Sequence, residues 1–165
     1  MSQISFRTGP ATRLIPEMNF TCDGTIVGFT VAVDEQNRDE DPMIQVWREN
    51  ISQPGVYYKT TADIAIDEAV CVDGLTEVYS EVFQCKLNGT VQVSVQAGDI
   101  LGLELPPRNT DDKALGFATR VSRGGPTNYV FEQQLLSSPV VLSTRNSVNQ
   151  ELPQITLEIE SGMLD

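Results

Sequence analysis

Glycine and proline interrupt this chain about every ten residues, and the stretches between them alternate apolar with polar side chains. A period of two is the mark of a half-buried strand, and such frequent punctuation leaves little uninterrupted length for helices. Residues 25–33 place Val27, Phe29, Val31 and Val33 on one face. Residues 43–48 and 55–60 read as two further strands. Residues 78–87 read as one long strand with Tyr79, Phe83 and Cys85 on one side. Residues 91–95 alternate throughout, and residues 100–105 direct Leu101, Leu103 and Leu105 inward before stopping at Pro106 and Pro107. Residues 115–121, 128–131, 140–142 and 155–159 complete the set. Residues 62–70 and 131–136 carry weak helical signals, but β-branched neighbours suit strand or turn equally well. The expected fold is all-β: a single domain over residues 1–165 forming a two-layer antiparallel β-sandwich, jelly-roll-like, with an Ig-like sandwich as the alternative.

At 165 residues the chain is long enough to bury a core without metals or cross-links to rescue it. Its formal net charge is −12, which repels phosphate backbones and anionic lipid. Nucleic acid is therefore not an expected partner, and no stretch approaches the roughly 20 apolar residues of a membrane helix. The chain has no histidine. That removes Ser-His-Asp and Cys-His nucleophile systems, histidine-ligated zinc and imidazole acid–base chemistry. Catalysis would have to rest on a pair of carboxylates, and no spacing singles out such a pair. The chain is expected not to be an enzyme.

The three cysteines, Cys22, Cys71 and Cys85, are an odd number and contain no C-x-x-C. Cys71 and Cys85 flank the Asp73-Gly74 turn, which favours a disulfide between them, with Cys22–Cys85 as the alternative. The remaining thiol is then buried or intermolecular. Three reduced core cysteines in a cytosolic protein are the competing reading. Three N-x-[S/T] sequons begin at Asn19, Asn50 and Asn88, where chance supplies about one. They point to glycosylation and an extracellular or secreted setting. Residues 1–7 lack the basic start and apolar run of a signal peptide, so an extracellular segment is expected to be part of a larger protein.

Four features invite a binding role. Asp34, Glu35, Asp39 and Asp41 make an acidic loop able to offer oxygens to Ca²⁺, although a solvated hairpin tip needs the same residues. Calcium is the one cofactor the sequence raises. Gly98-Asp99 is a tight turn in which Gly98 takes positive φ and Asp99 bonds back to turn amides. Arg120, Arg123 and Tyr129 flank a Gly-Gly-Pro loop that suits an anion or a glycan. Trp47 is expected in the core, on the face opposite Ile44 and Val46, with a sugar-stacking platform shared with Tyr57 and Tyr58 as the alternative.

Residues 20–159 resemble a β-sandwich module that recurs in ectodomains of early-branching animal surface proteins. The likeness rests on residues 19–29, Ile44-Gln45-Val46-Trp47-Arg48, residues 97–107 and residues 125–131. It implies an extracellular setting in a larger, membrane-anchored protein, and brings no ligand or binding residue with it. The expected function is a non-catalytic recognition or adhesion module for a protein ligand. A carbohydrate-binding domain, with or without Ca²⁺, and a jelly-roll subunit of an assembly are the alternatives.

Overall fold

The computed structural model describes residues 3–5, 11–32, 42–60, 63–79, 82–105, 118–120, 127–131, 139–149 and 155–161. The chain runs β1 (Gln3–Ser5), β2 (Ala11–Asn19), β3 (Gly24–Ala32), β4 (Met43–Glu49), β5 (Val56–Lys59), β6 (Ile64–Ala65), β7 (Thr76–Tyr79) and β8 (Val82–Lys86). It continues through β9 (Val93–Val95), β10 (Ile100–Leu105), β11 (Ala118–Arg120), β12 (Thr127–Phe131), β13 (Val140–Val141), β14 (Ser147–Asn149) and β15 (Ile155–Ser161). Helical structure among the described residues is limited to three single 3-10 turns at Glu68–Val70, Gly89–Val91 and Thr144–Asn146. The fold is all-β, as the alternation predicts.

Two antiparallel sheets carry the molecule. The larger has eight strands in the order β13-β5-β4-β10-β2-β12-β14, with β6 also on β4, and curls into a half-barrel. The smaller has five, in the order β15-β3-β8-β7, with β9 also on β3. β1 and β11 form a separate pair. Between the two sheets lies the main core, which includes Ile15, Ile26, Phe29, Val31, Ile44, Val46, Cys85, Leu101 and Leu103.

The period-two reading holds for Phe29 and Val31 but breaks at Val27. Gly28 pairs with Glu158 while Ile26 pairs with Ile159, so β3 carries one extra residue at Val27. A bulge reverses the facing of every residue beyond it. Ile26 therefore enters the core at 0% exposure in place of Val27. Residues 78–87 are likewise two strands rather than one. The chain reverses between β7 and β8, leaving Tyr79 75% exposed while Phe83 and Cys85 stay inside. The weak helical signal at 62–70 resolves into the short β6 and one 3-10 turn.

β4 departs from alternation in a more consequential way: Ile44, Gln45, Val46 and Trp47 are all buried. The face of the large sheet opposite the main core carries a second core of Leu14, Trp47, Ile100 and Val140, flanked by Tyr57, Tyr129, Phe131 and Leu142. Trp47 thus faces opposite Ile44 and Val46, as expected, yet neither face is wet. Its 0% exposure rules out a sugar platform there. The indole lies against the β10 backbone, where a Cβ on Gly102 would stand 2.5 Å from Trp47 Cδ1. Burial raises the Tyr57 phenol above its ordinary value, with Glu49 and Tyr129 adding to the shift.

One polar clasp ties the ends of several strands together. Gly98 has φ +95°, and the Asp99 carboxylate accepts from Gln96 N at 2.8 Å, as the turn reading anticipates. The same fully buried carboxylate takes the Arg48 guanidinium in a fork, Nε–Oδ1 2.7 Å and Nη2–Oδ2 2.9 Å. Asp99 O accepts from Phe20 N, and Phe20 O accepts from Gly98 N, both at 2.8 Å. The clasp joins β4, the β9–β10 turn and the end of β2.

Gly102→Ala forces a methyl into the Trp47 ring, and overpacking of this kind costs about 1–3 kcal/mol. Urea unfolding followed by Trp47 emission measures it; an unchanged midpoint would mean that the ring does not depend on this gap.

Candidate functional site

The Val27 bulge shapes the outer face of the five-stranded sheet. Val27 turns outward, and Gly28 has no side chain to fill the space beside it. A Cβ on Gly28 would lie 2.9 Å from Glu158 Oε2, so the carboxylate of β15 leans over β3 only because residue 28 is glycine. Gln84 of β8 fixes it there, Nε2 donating to Glu158 Oε1 at 3.1 Å. The result is a cleft of about 470 Å³ lined by Asp73, Gln84, Lys86, Gln92, Glu158 and Glu160, among others. Three carboxylates face one lysine, and the neutral polar side chains are the amides of Gln84 and Gln92 and the Thr76 hydroxyl, which both donate and accept.

A disulfide fixes one wall of this cleft. Cys71 and Cys85 are bonded, with Cα atoms 5.3 Å apart. The Asp73-Gly74 turn between them, with Gly74 at φ +74°, lies at the cleft's margin. Backbone bonds Val72 N–Lys86 O at 2.7 Å and Leu87 N–Val27 O at 2.9 Å join this segment to β8 and the bulge. The favoured pairing is therefore the one present. The Cys22–Cys85 alternative is not, and Cys22 is an exposed free thiol rather than a buried one.

Cys22 contributes to a second, more apolar cleft of about 320 Å³. It opens where the end of β2 meets β15 and is lined by Met18, Phe20, Leu101, Leu157 and Ile159. Pro16 and its neighbours create the opening. The β2–β10 register jumps from Leu101–Ile15 to Ile100–Asn19, so β2 loops out where proline offers no ladder donor.

The residues marked from sequence are scattered. Asp34, Glu35, Asp39, Asp41 and Arg123 lie outside the described residues. Arg120 belongs to β11, paired with Gln3. Tyr129 is in β12, half-buried against the second core. Among the described residues no group of three or more His, Cys, Asp or Glu side chains is placed to hold a metal ion. Asn19 is exposed at the end of β2, and Asn88 is half-buried beside the 3-10 turn, its Nδ2 donating to Ala69 O at 3.4 Å. Asn50 sits in the β4–β5 turn, where its Oδ1 accepts from Ser52 N at 2.9 Å and Ile51 is 98% exposed.

The sequence reading missed the cleft acids, Asp73, Glu158 and Glu160. In a turn, as for Asp73, or on the edge strand β15, as for Glu158 and Glu160, such residues look like any solvated face. Only the glycine at position 28 hinted that something packs across β3. No protein-family model matches the chain, nor does any curated protein or solved structure.

Opening the Cys71–Cys85 bond, which closes a sequence separation of 14 residues, should cost about 3 kcal/mol of stability. Urea unfolding with and without reductant checks this, and before reduction a thiol reagent should label the native chain once, at Cys22. Two or more labels on the unreduced protein would contradict the bond.

Proposed function

We propose that this chain is a non-catalytic recognition module of the extracellular space that receives a cationic segment of a protein ligand in the cleft over β3, β8 and β15. The observation that carries the reading is the cleft itself. It stands on a sheet beside a disulfide, and its Glu158 carboxylate is aimed by a bulge, a glycine and an amide. Sites built on strands hold their geometry better than sites on loops. The net charge of −12 adds a long-range field that draws positively charged partners and speeds their encounter. The closed disulfide supports an oxidising compartment, and the exposed or half-buried sequon asparagines support accessibility to glycans. The carbohydrate alternative is weaker, because Trp47 is buried and no aromatic side chain lines the cleft among the described residues.

A lysine- and arginine-rich decapeptide, titrated at low salt and followed by amide NMR shifts, tests the reading. The expected shifts cluster at Val27, Gln84, Lys86 and Glu158, and Glu158→Lys with Glu160→Lys weakens binding at least about tenfold. Equal binding by that double variant, or shifts spread evenly over the surface, would remove the cleft from consideration.

The extracellular setting has its own check. Chain passed through a secretory pathway should carry N-glycan, and Asn50→Gln should remove glycan mass, because Asn50 lies in an open turn. A bare chain in the mass spectrum would argue for another compartment.

A further inference from the structure

β15 is an edge of the five-stranded sheet, and among the described residues its one strand partner is β3. Every second residue of an antiparallel strand turns its N–H and C=O away from a given neighbour, so β15 directs a row of backbone donors and acceptors to the side away from β3. The strand is seven residues long and regular, since the extra residue of the Val27 bulge belongs to β3. The sheet's other edge, β7, has four residues and a register shift against β8, which makes it a poor template for pairing.

The two faces of β15 differ in chemistry, and each borders one of the clefts. Glu158 and Glu160 point outward and belong to the acidic cleft. Leu157 and Ile159 point inward, pack on the main core and line the apolar cleft with Met18, Phe20 and Leu101. Among the described residues no side chain of β3 lines that apolar cleft, so it opens on the side of β15 away from β3. A strand laid along this edge would alternate as β15 does. Its inward side chains would enter the apolar cleft beside Leu157 and Ile159. Its outward side chains would stand about 4.5–5.5 Å, Cβ to Cβ, from those of β15. Long basic stems at those positions reach the carboxylates of Glu158 and Glu160.

We propose that β15 is the docking edge for a strand of a protein partner in which basic and apolar residues alternate. The proposal rests on the ligand reading above and adds how the cationic segment binds. It pairs with β15 through its backbone, its basic residues over Glu158 and Glu160 and its apolar ones over Met18 and Phe20. Strand addition of this kind draws affinity from main-chain hydrogen bonds and specificity from pockets for alternate side chains. Charge decides against a second copy of this chain as the occupant. An antiparallel pair of β15 strands would gather the Glu158 and Glu160 carboxylates of both copies on one face, and each copy carries a net charge of −12. Like charges directly opposite one another destabilise a strand pair.

Two decapeptides of one composition, half lysine and half valine, test the proposal when titrated into the full chain at low salt. In one the residues alternate, and in the other they form two blocks. The alternating peptide should bind at least about tenfold more tightly than its block isomer. It should move the amide signals of Leu157 and Ile159 as well as Glu158, protect β15 amides from exchange, and slow the reaction of a thiol reagent with Cys22, which lines the apolar cleft. Methylating the backbone nitrogens of either the valines or the lysines removes the donors of one peptide edge, and one of these two peptides alone should lose binding. In the chain carrying Glu158→Lys with Glu160→Lys, the preference should pass to an alternating glutamate–valine peptide. Equal binding by the alternating and block isomers, with shifts confined to the acidic cleft, overturns the added strand and leaves the cleft reading standing. Shifts at no cleft residue with either isomer overturn both. A dimer of the peptide-free chain with protected β15 amides would give the edge to a second copy, and overturns the proposal equally.

Discussion

The contact of Trp47 with the bare backbone at Gly102 is what the rest of the large sheet depends on. A flat sheet packed on one side would have left the odd-numbered face of β4 in water. With the indole pressed onto β10, Leu14, Ile100 and Val140 pack around the ring. Two cores then share the strands β2, β4 and β10, one on each face. That sharing explains why β4 has four consecutive buried residues, a pattern ordinarily seen in strands covered on both sides. It also explains the buried polar row, in which Trp47 Nε1 donates to Gln45 Oε1 at 2.9 Å and Gln45 Nε2 lies 3.5 Å from Glu104 Oε2. Gln45 and Glu104 occupy positions that an open sheet would hydrate, so the curl makes partners for them obligatory.

The Arg48–Asp99 clasp answers a different need. A chain that passes repeatedly between two sheets must turn sharply at their ends, where backbone groups lose ladder partners. Here one carboxylate serves the Gln96 amide and the Arg48 fork, while the neighbouring carbonyls of Asp99 and Phe20 take the amides of Phe20 and Gly98. The sheet ends are held by hydrogen bonds that water would otherwise have to supply.

Much of this architecture was legible in the sequence, and the failures share a cause. Period two located Phe29, Val31, Leu101 and Leu103, and the turn chemistry at Gly98-Asp99 and between Cys71 and Cys85 read correctly, because these depend on near neighbours. Val27 and Tyr79 were misplaced because a bulge and a chain reversal change the facing without changing composition. The second core was invisible for a related reason. Whether the outer face of a strand is wet depends on the curvature of the whole sheet, and no window of six residues encodes that. The cleft was harder still, since Asp73 and the pair Glu158 and Glu160 are 85 or so positions apart and each looks like ordinary surface.

The acidic cleft and the buried polar row occupy opposite sides of the sandwich. The cleft lies on the outer face of the five-stranded sheet, while the polar row lies on the face of the eight-stranded one that turns away from the main core, so the main core separates them. No hydrogen bond or ion pair found among the described residues runs from one to the other. Coupling between them would have to pass through the core strands β4 and β10 as packing, and close-packed cores transmit such strain only when an element has two discrete arrangements. β3, β8 and β15, which carry the cleft, are held by Cys71–Cys85 and by the ladder across the Val27 bulge. Physical reasoning therefore places preorganisation in the five-stranded sheet, where the disulfide and the continuous ladder hold the cleft's walls.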